Sequence, residues 1–423
     1  MHPFAFGSFA LSTRQLFGLL ALLALNAFAG LAVAGPVRSA GALTFVDANT
    51  LVVADGVGGE IHALALAPIE PVAPRPFNLK QLSAQVARAL RTQPDRLRFE
   101  DMAFRPGAEL AYISLSVDRG RSRAPAPALV GVDPTGKVSV VNLATTARSS
   151  APIKDRPAAD QSFWNDVPAS TYTVTDLVFH DGRLYVAGLS NATFASTLRI
   201  YDFPFNGKAT ATSVEMYHAV HNQTETRAPI RKMVIANLNG EPSLIAAYTC
   251  TPLVTIPLKD LKDGAHIVGK TVAELGWGSA PVGLVSFDAG QGPMVMLTNS
   301  HKGADLMSVA SIAAAAALPG LKEPIKWPTE PYLGVKAIPV PVAGIARMAV
   351  QDKDFLAALR RNEATGAMEL VSMRSHSFLR LSDFVNEYDF ADFRYGPSDP
   401  FRGLHGLLRN DEGYPDLAAR AKP

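Results

Sequence analysis

One pattern returns six times along this chain: an apolar run, a turn rich in Gly, Asp or Asn, and a second apolar run ending in small polar residues. The copies are ALTFVDANTLVVADG from Ala42, EDMAFRPGAELAYISLS from Glu100, TDLVFHDGRLYVAGLSN from Thr175, RKMVIANLNGEPSLIAAYT from Arg231, VGLVSFDAGQGPMVMLTNS from Val282 and ARMAVQDKDFLAALRR from Ala346. Short runs rich in Val, Ile, Leu and Tyr, split by Asp-Gly or Asn-Gly, are hairpins. A third strand follows in several copies, at Glu60–Leu66, Pro127–Asp133, Thr197–Phe203 and Pro252–Leu258. Fourth strands are expected at Lys137–Leu143 and Thr212–His218. A recurring four-strand unit is the blade of a β-propeller. The chain therefore reads as all-β, a single β-propeller of six blades. The Ala/Ser/Pro-rich gap from Leu143 to Tyr172 leaves room for a seventh.

Two short helical insertions interrupt the pattern. Asn78 is placed to cap a segment with Leu79, Leu82, Val86 and Leu90 on one face, ended by Pro94. Ser308–Leu318 is Ala-rich and stops at Pro319. The first copy lacks a clear fourth strand, and the segment from Ser377 is expected to supply one and close the ring.

The N-terminus bears on the compartment. A lone Arg14 precedes the apolar stretch Leu16–Leu25, which is followed by Ala27-Phe28-Ala29 and Ala32-Val33-Ala34. That order reads as a secretory signal peptide over residues 1–34, with a retained anchor as the alternative. The expected organisation is a signal peptide at 1–34, the propeller at 35–382 and a C-terminal tail at 383–423 packing on or beside it. The protein is then periplasmic or secreted, with no membrane span after cleavage.

Of the 423 residues, 48% are hydrophobic and 18% are charged. So high an apolar content excludes a disordered chain. A net charge of +2 without a long basic run gives no nucleic-acid footprint. A single cysteine excludes an internal disulfide.

The stretches EDMAF, TDLVFHDGRLYVAGLSN, FASTLR, HNQTETRAPIR and AAYTCTPLV resemble a group of uncharacterised exported bacterial β-propeller proteins of WD40/YVTN-like type. The likeness spans Gly41 to Ser382. It implies a propeller fold and export, and no activity.

Propeller topology places the strand B to C loops and the connections between blades on one face, opposite the tight turns at Asp47–Thr50, His180–Arg183, Asn237–Glu241 and Asp288–Gly292. Long loops on a rigid scaffold are where function concentrates. Three groups converge on that face. The innermost strands open with Glu100, Asp101, Asp176, Arg231, Lys232 and Arg347, a set able to bind a ligand, hold a metal or form an ion-pair ring. In the connection after the third copy, a helix would align His218, His221 and Glu225 as metal ligands, with Arg227 beyond. The B to C loops carry Asp118, Arg119, Arg121, Arg123, Ser190, Asn191, Cys250, Asn299 and His301.

Gly264–Thr271 matches the phosphate-cradling pattern letter for letter, but it lies between strands and lacks the strand–loop–helix context. Neither G-x-S-x-G, H-E-x-x-H nor C-x-x-C-H occurs. The sequence thus reads as a module that binds a protein or small-molecule ligand through its loop-rich face, with no identified reaction. The alternative is a lactonase-like, metal-assisted hydrolase with one divalent ion held at the axis by Asp101 and Asp176, with Glu100 or His218. A copper or redox role through Cys250, His301 and the methionines is a third reading.

Overall fold

In the computed structural model the described residues are 35–376, apart from 74, 122, 165, 166, 251, 277, 291, 327, 343 and 363. The expected signal peptide, the Ser377 strand and the C-terminal tail lie outside them. Among the described residues the sheets resolve into six four-stranded antiparallel units, a β-propeller.

The hairpins form where the turn chemistry places them. Asp181-Gly182 and Asn239-Gly240 both take positive φ, which suits a two-residue hairpin turn. Each unit packs both faces against neighbours, so central strands are largely buried on both faces rather than alternating. Thr50–Asp55 is buried at every position.

The order of the ring departs from the order of the chain. Innermost strands touch in the sequence Leu43–Asp47, Asp176–His180, Lys232–Leu238, Pro281–Asp288, Ile345–Val350, Leu97–Phe104 and back to Leu43–Asp47. Six separate apolar cores follow the same order, one at each seam. The unit built on Leu97–Phe104, second in the chain, thus sits between the first and the sixth.

Two exchanged strands make this possible. The outer strand of the first unit is Arg148–Pro152, paired with Glu60–Ala65. The gap from Leu143 to Tyr172 therefore completes an existing blade, and beyond that strand it holds the two-stranded hairpin Ser162–Trp164 and Val167–Pro168. The outer strand of the sixth unit is Asn78–Leu79, paired with Met368–Arg374. Asn78 is accordingly a strand residue and not a helix cap. The helix that follows, α1, spans Leu82–Leu90 with Gln81 at its N-cap. The Ala-rich insertion is a helix as expected: α2 spans Val309–Ala316, and the Ser308 hydroxyl accepts from Ser311 N.

The third and fourth units are joined at their rims. Their outer strands, Ala209–His218 and His266–Leu275, pair in parallel from Ser213↔His266 to Met216↔Gly269. Gly269 leaves room for Val254 in the neighbouring strand of its own unit, since a Cβ there would lie 2.5 Å from Val254 Cγ1. The phosphate-loop look-alike is part of this strand. Lys270 Nζ donates to Ala316 O and the Thr271 hydroxyl to Tyr217 O, so both side chains are structural.

Candidate functional site

Two polar clusters face the loop-rich side. The first surrounds the axis. Lys232 places its ammonium 2.8 Å from Asp176 Oδ1 and 3.7 Å from Asp101 Oδ1. The remaining carboxylate oxygens accept backbone N–H groups, Asp176 Oδ2 from Met233 N and Asp101 Oδ2 from Leu43 N. Burial pushes the Asp176 carboxyl up, Lys232 pulls it down, and Asp101 adds repulsion. Burial works to lower the ammonium's pKa, but the two acids hold it above the usual lysine value. The carboxylates named for an axial cation thus already share one ammonium.

β-Bulges at Phe99/Asp101, Pro281/Gly283 and Ile345/Arg347 interrupt the inner strands as they begin. Such bulges re-aim side chains. Arg347 donates Nε to Glu100 O and Nη1 to Ala346 O, tying the sixth unit to the second. Glu100 takes an ion pair from exposed Arg98 at 2.6 Å.

Above this plug a narrow channel of about 90 Å³ opens into a wider mouth of about 490 Å³. The charged residues lining the mouth are Arg38, Arg98, Arg231, Arg347 and Glu100, an excess of cations. Arg231 stacks its guanidinium over Tyr172, 5.1 Å from the ring centroid, and its Nε is buried without a hydrogen-bond partner among the described residues.

The second cluster lies away from the axis, where the third and fourth units meet. The chain from His218 to Glu225 is a hairpin, not the helix its spacing suggested: His218 pairs with Gln223 and Met216 with Glu225. The turn still brings the three side chains together. Glu225 Oε1 accepts from His218 Nδ1 at 2.9 Å and from His221 Nδ1. The two imidazoles lie 4.1 Å apart, centroid to centroid.

The fourth unit supplies Cys250 and Glu274. Cys250 occupies a left-handed backbone position, φ 64°, and its amide donates to Ser279 O. The interaction with His218 lowers the thiol pKa, against the opposing effect of burial. Burial would depress His218, but Cys250, Glu225 and Glu274 together raise it to about 9. Burial likewise opposes ionisation of Glu225, yet the two imidazoles hold it at about 2. Glu274 is fully buried and is pushed up to about 7 by that burial. Its Oε1 accepts from Ala219 N and lies 3.9 Å from His218 Nε2.

The other sequence candidates are scattered. Arg227, Arg119, Arg121 and Arg123 are exposed, as is Asn191. Ser190 is buried in hydrogen bonds with Ala195 and Thr197, and Asn299 donates to Asp305. His301 pairs with its neighbour Ser300. Among the described residues, the group with metal-ligating donors in mutual reach is His218, His221 and Cys250, without His301, Asp101 or Asp176. Glu274, Arg38, Arg98 and Tyr172 were missed. Glu274 carried a signal, being an acid set among Val272, Ala273 and Leu275 in the apolar end of its strand; Tyr172 and Arg38 carried none.

No protein-family model and no curated protein matches the chain. Among solved structures it is similar to Raptor from Chaetomium thermophilum, with TM-score 0.34, 10% identity and coverage of 79% of this chain and 28% of that one. It is also similar to the dihydro-heme d1 dehydrogenase NirN in complex with DHE, with TM-score 0.31, 9% identity and coverage of 78% and 53%. A puromycin-hydrolyzing peptidase from Mycobacterium tuberculosis matches with TM-score 0.28, 10% identity and coverage of 80% and 44%. The chain thus spans about a quarter to a half of these proteins, and likenesses of this size carry no inference about its activity.

Proposed function

We propose that the chain is an exported β-propeller that binds a small anionic ligand, carrying a carboxylate or phosphate, in the arginine-lined mouth of its axial channel. The observation that carries this reading is Arg231. Its guanidinium carbon lies over the Tyr172 ring, while its buried Nε has no acceptor among the described residues. A guanidinium presents several donors in a fixed fork that matches carboxylates and phosphates. Leaving a buried donor unmatched costs about 1–3 kcal/mol, which an incoming oxyanion recovers. The excess of arginine around the mouth adds attraction at longer range.

The reading is a binding module and not a hydrolase because the axial carboxylates are committed to Lys232 and to backbone amides. They offer neither a free base nor an open cation site. Export rests on the order of residues in 1–34.

Calorimetric titration with a panel of carboxylates and phosphate monoesters at low salt tests the proposal. At least one compound is expected to bind saturably, more weakly as salt rises. Charge-assisted hydrogen bonds contribute about 1.5–3 kcal/mol, so Arg231→Gln should weaken that binding roughly tenfold or more. A panel without saturable binding, or an Arg231→Gln affinity equal to wild type, would refute it.

A further inference from the structure

We infer that His218, His221 and Cys250 form a zinc site, beside the buried Glu274 carboxylate, that fastens the third propeller unit to the fourth. This goes beyond the anion-binding mouth and shares no residue with it.

The argument begins with Glu225. A carboxylate oxygen only accepts, so both imidazoles must present Nδ1–H to Glu225 Oε1. Their Nε2 atoms are then left to act as donors of electron pairs. Histidines that ligate metals nearly always give their other ring N–H to such a carboxylate, which orients the ring and raises its basicity. Here one glutamate serves two rings.

The atoms facing inward lack other work. His218 Nε2 and Glu274 Oε2 are buried with no hydrogen-bond partner among the described residues. His218 is 1% exposed and Glu274 0%. His218 closes one strand, Glu274 lies near the end of another and Cys250 sits in the turn after Glu241–Ala247, so the cluster draws on three separate segments. Donor atoms of His218, His221 and Cys250 all lie within 4.8 Å of one another. Tetrahedral zinc needs neighbouring donors about 3.5 Å apart. The half-exposed His221 ring, at a hairpin turn, has room to close that difference.

The donor set selects the ion. Two imidazoles and a thiolate suit zinc, whereas magnesium and calcium prefer oxygen alone. One thiolate and one carboxylate neutralise a divalent charge in a buried place. On binding, the thiol gives up its proton to solvent, as does any imidazole that carries a second one. The three donors in mutual reach come from two propeller units, so the ion would act as a fastening between them.

The mature protein, produced without a histidine tag, is freed of metal by a chelator and titrated with Zn²⁺ and, separately, Co²⁺. One equivalent of zinc should bind, with proton release and a rise in thermal midpoint. Co²⁺ should give a thiolate charge-transfer band that Cys250→Ser abolishes, and Glu225→Gln should weaken zinc binding 10- to 100-fold. Cys250→Ser changes one half-buried atom, so its reading stands even where His218→Ala fails to fold. No stoichiometric zinc binding by folded wild type, a Co²⁺ spectrum without a thiolate band, or zinc affinity unchanged in Cys250→Ser would each overturn the site.

Discussion

Asp55 shows how much a single side chain can organise at the mouth. It is buried, and its carboxylate accepts from the amides of Arg38, Ser39 and Gly58 and from the Ser39 hydroxyl. The segment that carries Arg38 to the channel therefore hangs on this acid. Burial alone would raise its pKa, but His62 and these hydrogen bonds hold it below the usual carboxylate value. A depressed acid contributes stability above its unfolded pKa, and that contribution disappears as pH falls through the folded value. The stability difference between wild type and Asp55→Asn should be full at neutral pH and shrink below about pH 4, as followed by urea unfolding. Lys232 makes the opposite case, because it is the cation between two buried acids. Lys232→Met should cost about 3–5 kcal/mol at neutral pH, by leaving both carboxylates uncompensated. Burial already raises the Asp176 carboxyl, and without the ammonium it loses the partner that pulls it down. That loss should therefore lessen as the pH is lowered and Asp176 takes up a proton, setting in at a higher pH than the change at Asp55.

At the scale of elements, the ring depends on strands borrowed across the sequence. Asn78–Leu79 completes the sixth unit, with Phe77 N donating to the Ser372 hydroxyl and Ser372 N to Phe77 O. Leu79 is buried in the core shared by the sixth and second units and by α1. Leu79→Ala should cost about 2–5 kcal/mol, and hydrogen exchange should show the protection loss concentrated in Met368–Arg374. Gly188 marks another close approach, where a Cβ would stand 2.1 Å from the Thr173 carbonyl oxygen. Backbone cannot yield as a side chain does, so Gly188→Ala should lower stability by about 1–3 kcal/mol in thermal unfolding. The hairpins themselves were legible, since Asp181-Gly182 and Asn239-Gly240 are turn chemistry that acts locally. The borrowed strands were not. Asn78-Leu79 and Arg148–Pro152 are short and gain their pairing only from partners distant in sequence. Periodicity also misread His218 to Glu225 as a helix, because i, i+3 and i+7 also converge across a tight hairpin.

For the whole molecule, six seams each carry their own core, and the loop-rich face gathers both polar clusters. Its inner charges were legible, because Asp101, Asp176, Lys232 and Arg347 open homologous inner strands. Their pairing was not, since it depends on which units adjoin, and the ring order is not the chain order. Among the described residues no helix is long and apolar enough to cross a membrane. We propose removal of residues 1–34 during export, and mass spectrometry of the secreted or periplasmic form should find an N-terminus at or shortly before Gly35. The central claim, an oxyanion seated in the arginine-lined mouth, is tested most directly by hydrogen-exchange mapping with and without a saturating anionic ligand. The account predicts new protection at Arg38–Gly41, Ser170–Thr175 and the segment around Arg231, all of which line the mouth. Protection confined to the opposite face, or to the surroundings of His218 and Cys250, would contradict it.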